Sequence, residues 1–69
     1  MFKVCIISCG MISNSAHIPA YRRFPEDFEI TAVCDINENA AGETAKRHEI
    51  SRYYVSAEEM LEKEKPDVV

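Results

Sequence analysis

Val4-Cys5-Ile6-Ile7-Ser8-Cys9-Gly10-Met11-Ile12-Ser13 is a short apolar run that stops abruptly in a turn of small residues. Nearly continuous apolar character over residues 4–7 is the pattern of a parallel strand covered by helices on both faces. In the pattern G-x-G-x-x-G/A, the first position makes a tight turn, the second lets the backbone approach a pyrophosphate, and the third lets a helix lie close to the strand. Ser8, Gly10 and Ser13 hold those three places here. Gly10 stands where a side chain would collide with phosphate, and Ser13 is small enough for a close helix. Ser8 is the departure. A serine makes this turn readily at negative φ, whereas a left-handed conformation costs it roughly 1 kcal/mol or more. Taken alone, the letters fit an ordinary strand-to-helix turn as well.

The next apolar run decides between the two. A β-branched stretch, Glu29-Ile30-Thr31-Ala32-Val33-Cys34, reads as a second buried strand and leads into Asp35, 25 residues beyond Gly10. Strand, turn, helix, strand, acid is the order of a dinucleotide site, at about the spacing where a carboxylate accepts the ribose hydroxyls. A 2′-phosphate in the same place would set like charges about 4 Å apart, a repulsion of order 4 kcal/mol at an effective dielectric near 20. Ile36 and Asn37 come next, with no arginine to offset that repulsion, so the residues favour NAD over NADP. A competing use for Asp35 or Asn37 is to cap the following helix, with Glu38 three residues after Asp35 as in a capping box. Capping and ribose binding draw on the same oxygens.

The remaining elements alternate without repeats or linkers. The first helix is expected over 11–24, with Ile12, Ala16, Ala20 and Phe24 as its sheet-facing stripe and a break near His17-Ile18 imposed by Pro19. The second is expected over 38–48, with Ala40, Ala41, Thr44 and Ala45 as its small face. Residues 52–55 form a short extended segment. Ser56 to Glu59 is a capping box that opens a third helix, closed by Pro66. Pro66-Asp67-Val68-Val69 looks like the start of a third strand. The expected fold class is therefore α/β, a three-layer Rossmann-type parallel sheet, incomplete, with about three strands and three helices. At 69 residues the chain is one domain at most, and it reads as the amino-terminal part of a dinucleotide-binding domain whose substrate domain is absent.

A net charge of −4 and the lack of any basic cluster exclude a nucleic-acid surface, and Arg22-Arg23 and Lys46-Arg47 read as solvated pairs. Nothing approaches transmembrane length and no signal peptide is apparent, so a cytoplasmic location is expected. Cys5 and Cys34 on expected buried strands and Cys9 in the turn, an odd count of three, suit a reducing compartment. Cys5 and Cys9, four extended steps apart, are separated by about 13 Å, too far for one tetrahedral zinc. At a helix N-terminus Cys9 could carry a stabilised thiolate, although such a residue is more often a small turn filler.

Phe2 to Ser8, Gly10, Ala16-His17-Ile18-Pro19-Ala20-Tyr21, Ala32-Val33-Cys34-Asp35, Tyr53-Tyr54 and Glu58-Glu59-Met60-Leu61 together resemble the Gfo/Idh/MocA oxidoreductases, over essentially the whole chain. The family takes its name from glucose-fructose oxidoreductase and inositol dehydrogenase. The resemblance implies a Rossmann domain for NAD or NADP and a larger α+β domain that closes over a sugar, inositol or other polyol-type substrate. It implies that Cys9, Gly10, Met11 and Ile12 line the pyrophosphate, with Ser8 at the turn and Asp35, followed by Ile36, at the adenosine ribose.

The family's chemistry is reversible hydride transfer, with a lysine from a Glu-Lys-Pro motif and a downstream Asp or His handling the proton. Glu64-Lys65-Pro66 spells the same letters but precedes a strand, whereas ligands bind outside the carboxyl ends of strands. Those residues are expected to end a helix. No catalytic residue is assigned, and these 69 residues alone are not expected to turn over substrate. His17 and His48 read as structural groups at a helix break and a helix end, Tyr53-Tyr54 as one surface and one buried ring, and Glu62-Lys63-Glu64 as a solvated face. The alternative function is a non-catalytic NAD-sensing or assembly module, and a methyltransferase ranks third because its first turn is richer in glycine. In the strand order 3-2-1-4 the first strand lacks its outer neighbour, so pairing of two copies through that open edge, giving a homo-oligomer, is expected.

Overall fold

The computed structural model describes residues 1–10 and 16–69. Six elements succeed one another: β1 (Phe2–Ile7), α1 (Ile18–Arg22), β2 (Phe28–Cys34), α2 (Glu38–Arg47), β3 (Arg52–Tyr54) and α3 (Ala57–Glu64). The three strands form one parallel sheet in the order β1-β2-β3. The expected α/β architecture of three strands and three helices is therefore present, with one reassignment. The third strand is residues 52–54, not 66–69. Pro66 and Asp67 delay any pairing of the last residues, and a single parallel bridge joins Val68 to Val4. Asp67 and Val68 donate to the Lys3 carbonyl at 2.8 and 3.1 Å, and Cys5 N–H donates to Val68 O at 3.0 Å. The edge of β1 expected to lie open is thus covered along residues 3–5.

The sheet has an apolar cluster on each face. Val4, Ile6, Ile30 and Val33 meet Ile18 of α1, Ala41 and Ala45 of α2, and Ile50. Cys5, Ala32 and Cys34 meet Met60 of α3 on the other face. Strict alternation cannot put Ile30 and Val33 on one face, since they are three residues apart. A β-bulge resolves this: Val4 pairs with Ile30 but Cys5 pairs with Ala32, so Thr31 is the extra residue. Beyond the bulge, Val33 and Asp35 share the phase of Ile30, which aims Asp35 at the side of the sheet that carries Cys9.

Small residues let α2 approach the sheet. Ala41, Thr44 and Ala45 are buried and Ala40 is partly buried, as its pattern predicts. In α1 the expectation fails. Of the expected stripe, Ala16, Ala20 and Phe24 are exposed, and Ile12 lies outside the described residues. A wider helical turn at Ala16-His17 precedes an α-helix that restarts at Ile18, with Pro19 in the first turn, where its missing N–H is harmless. That shift of phase turns Ile18 and Tyr21 toward the core instead. Helix α3 starts with Ser56, whose hydroxyl accepts from Glu59 N–H at 3.3 Å, and ends with Lys65 in a left-handed cap whose N–H reaches Leu61 O. Helix termination is thus the role Lys65 plays.

Candidate functional site

Parallel pairing brings the ends of β1 and β2 level, Ile7 opposite Cys34, so the two segments that leave them meet at one rim of the sheet. Ser8 N–H donates to Cys34 O at 2.8 Å, and Cys9 N–H donates to Asp35 Oδ2 at 2.9 Å. On the far side, Asp35 N–H donates to Tyr54 O at 3.1 Å, which fixes the acid between β1 and β3.

The contest over capping is settled by geometry. Asn37 is the N-cap of α2, and its side-chain oxygen accepts from Ala40 N–H at 3.2 Å. Asp35 Oδ1 accepts from Asn37 N–H at 2.8 Å, two residues on, which orders the approach to the helix without capping it. The N–H groups of Asn37 and Cys9 hold the Asp35 carboxyl below the ordinary aspartate range, so it is ionised at neutral pH. A carboxylate has about four lone-pair sites. Two backbone donors leave acceptor capacity on both oxygens.

A cleft of about 180 Å³ opens beside this acid, lined by Ile7, Ser8, Cys34, Asp35, Ile36, Val55 and Ala57. Ile36 is 94% exposed, an apolar side chain standing in solvent at the cleft's lip, and Ile7 and Val55 are exposed as well. A larger cavity of about 530 Å³ lies at the opposite rim, among Met1, Phe28, Glu29 and Arg52. In open parallel sheets ligands sit outside the carboxyl ends of strands, which selects the smaller cleft.

Ser8 takes the left-handed branch, with φ 78°. It therefore adopts the backbone a glycine would adopt, at a cost of roughly 1–2 kcal/mol. Among the described residues, its chain neighbours aside, a Cβ built on Gly10 would meet no atom within 4 Å. Met11, Ile12 and Ser13 lie outside the described residues. Cys9 is buried, its thiol directed at Cys34 O at 3.4 Å, and burial pushes its pKa up. The stabilised thiolate considered for it is not what this environment favours. Cys9 serves the rim through its backbone.

Other expectations shift too. Glu64 is not on a solvated face: its carboxylate accepts from Arg52 Nε and Nη2 at 2.6 and 2.9 Å and from Tyr54 O–H at 2.6 Å. This cluster locks α3 to β3, and so holds Val55 and Ala57 at the cleft. Arg22 is likewise engaged, its guanidinium donating to His48 O at 2.6 Å at the end of α2. Val55 and Ala57 were missed as site residues. The available signal was an apolar residue directly after a strand end. Among the described residues no cluster of three or more His, Cys, Asp or Glu side chains could hold a metal, and no helix is long and apolar enough to cross a membrane.

A family model described as "Oxidoreductase family, NAD-binding Rossmann fold" (GFO_IDH_MocA) matches residues 2–69. The chain belongs to this family. Its fold is also that of a solved oxidoreductase from Thermotoga maritima, to which it is 34% identical with a TM-score of 0.88 over 97% of this chain. The chain spans 21% of the length of that structure. No curated protein matches it. This Gfo/Idh/MocA chain places a turn and an acid at the carboxyl rim of a parallel sheet, with serine where the G-x-G-x-x-G pattern has its first glycine.

Proposed function

We propose that this chain is the part of an NAD-dependent dehydrogenase that holds the adenosine and pyrophosphate of the cofactor. The observation that carries the reading is the Cys9 N–H to Asp35 Oδ2 bond, which sets the turn and the ionised acid side by side at the cleft. Asp35 accepts from the ribose hydroxyls, and the apolar group at Ile36, with Ile7 and Val55 across the cleft, receives the adenine. The backbone of residues 8–10 runs past the pyrophosphate, which Gly10 can approach because it lacks a Cβ. NAD, when bound, supplies a nicotinamide ring that accepts or donates a hydride.

Preference for NAD over NADP rests on Asp35 being charged and on Ile36-Asn37 bringing no cation to the 2′ position. The substrate class is a sugar, inositol or similar polyol, in keeping with the family. No catalytic acid or base is assigned to residues 1–69. Titration of the full-length protein with NAD and NADP in parallel tests the reading. Tighter NAD binding that is lost on Asp35→Ala supports it. Equal or stronger NADP binding removes the role given to Asp35.

A further inference from the structure

Helix α3 forms one wall of the cleft at its first turn, where Ala57 lines it beside Val55. Two residues of this helix are buried, Met60 and Glu64. Met60 packs against Cys5, Ala32 and Cys34, with partly buried Ala57 beside them. An apolar contact of this kind fixes where a helix sits better than where it points, because the hydrophobic effect has no direction. Glu64, one turn on, supplies the direction. Its carboxylate accepts from Arg52 Nε at 2.6 Å, Arg52 Nη2 at 2.9 Å and Tyr54 O–H at 2.6 Å, bonds that hold only within a limited range of angles. Stability alone does not call for them, since an apolar residue of similar volume often serves as well as an ionic pair taken out of water. What they add is orientation. Tyr54 links that orientation to the acid as well: its hydroxyl holds Glu64 while its carbonyl accepts Asp35 N–H at 3.1 Å. At about 1.5 Å of rise per residue, Ala57 lies about 4.5 Å along the axis from Met60, and Glu64 about 6 Å on the other side. Freedom of about 1 Å at Glu64 therefore becomes about 0.75 Å at Ala57, more than the roughly 0.5 Å within which a binding site has to be held.

We propose that Glu64 is a positioning residue of the dinucleotide site, aiming α3 through Arg52 and Tyr54 so that Ala57 and Val55 stand where the adenosine half of the cofactor meets them. This rests on the dinucleotide reading of the cleft and adds to it a side chain that does not line the cleft. A carboxylate suits the task because it only accepts, and three donors converge on it. Glutamine at position 64 keeps the shape but offers one acceptor oxygen in place of two, and turns an NH2 donor toward Arg52 or Tyr54.

The test is calorimetric titration of NAD and of ADP-ribose into the full-length protein and its Glu64→Gln and Tyr54→Phe variants, at a temperature where a thermal melt shows each to be fully native. A residue that only stabilises the fold would lower the melt and leave the affinity of the native protein as it was. Glu64→Gln is instead expected to bind both ligands about fivefold more weakly, a size within reach of residues that touch no ligand. Tyr54→Phe should weaken both in the same direction by less, since Arg52 still holds Glu64. Unchanged or tighter binding by native Glu64→Gln overturns the proposal while leaving the dinucleotide reading intact. Weaker NAD binding with unchanged ADP-ribose binding also overturns it, because the effect would then lie away from the adenosine half. Should Glu64→Gln not fold, Tyr54→Phe decides, and affinity equal to that of the unaltered protein overturns the assignment. If the unaltered protein binds neither NAD, NADP nor ADP-ribose, the dinucleotide reading falls and this assignment with it.

Discussion

Cys9 and Asp35 are joined across the ends of two neighbouring strands, the Cys9 N–H donating to Asp35 Oδ2 at 2.9 Å while Asn37 N–H donates to Oδ1 at 2.8 Å. One carboxylate thus ties the turn after β1 to the entry of α2. Both donors are backbone groups, so the tie depends on the acid rather than on the side chains at positions 9 and 37. The bulge at Thr31 makes it possible, because without the extra residue Asp35 would fall on the other face of the sheet.

Asp35→Asn separates charge from shape. Asparagine keeps one acceptor oxygen for a backbone donor but removes the negative charge that repels a 2′-phosphate. NAD binding is expected to weaken about tenfold, and the ratio of NADP to NAD affinity to rise, as read by parallel titrations. The pH dependence carries its own sign. Hydrogen bonds from Asn37 and Cys9 depress the Asp35 pKa below its ordinary 3.8, so the binding-competent ionised form persists from neutral pH down to that value. Cofactor affinity should be flat across that range, with loss only below it.

Arg52 and Glu64 give the fold an acid-sensitive tie. The Arg52 hydrogen bonds lower the Glu64 pKa, burial opposing them, so the tie's contribution is complete above the ordinary value of 4.5 and is lost as pH falls through the lowered one. Arg52's side chain is 55% exposed against 6% for Glu64, so solvent screens the pair. Arg52→Ala should therefore lower the urea midpoint at neutral pH by less than breaking a fully buried pair would. Urea midpoints measured from neutral to acid pH check this, and Arg52→Ala should show a shallower acid decline.

What was legible in the sequence was whatever one local pattern determines: the apolar run of β1, the β-branched run of β2, the acid after it and the small face of α2. Ser8 was legible as a departure, but not the sign of its φ, which the Cys34 carbonyl sets from 26 residues away. The bulge was hidden because Ile30-Thr31-Ala32-Val33 reads as a strand at either phase. Arg52-Tyr53-Tyr54 became a strand only through pairing with β2, and Glu64 was buried only because that strand brought Arg52 and Tyr54 to it. Val55 and Ala57 reached the cleft by the same long-range route.

Cys5, Cys9 and Cys34 are all buried, and burial is the main cause that raises each pKa. Thiolate is the reactive form, so all three should resist alkylation by iodoacetamide in the folded protein and react together once urea unfolds it. Intact-mass measurement over time reads the outcome. Rapid single labelling of Cys9 in the native state would contradict the environment described for it.

Gly42 offers a stabilising substitution. It lies inside α2, where glycine is less favourable than alanine by about 0.5–1 kcal/mol because the unfolded chain gains more freedom from it. Its φ is negative, so alanine adds no backbone strain. A Cβ there would lie 3.6 Å from Tyr53 Cζ and 3.8 Å from Cε2, ordinary contact with a ring that is nearly half exposed and able to adjust. Gly42→Ala should thus raise the unfolding free energy by about 0.5–1 kcal/mol, read as a higher urea midpoint at unchanged slope. Gly42 does not line the cleft at Asp35, so dinucleotide affinity should stay as it was. A fall in stability would show that α2 and Tyr53 are closer than this geometry allows.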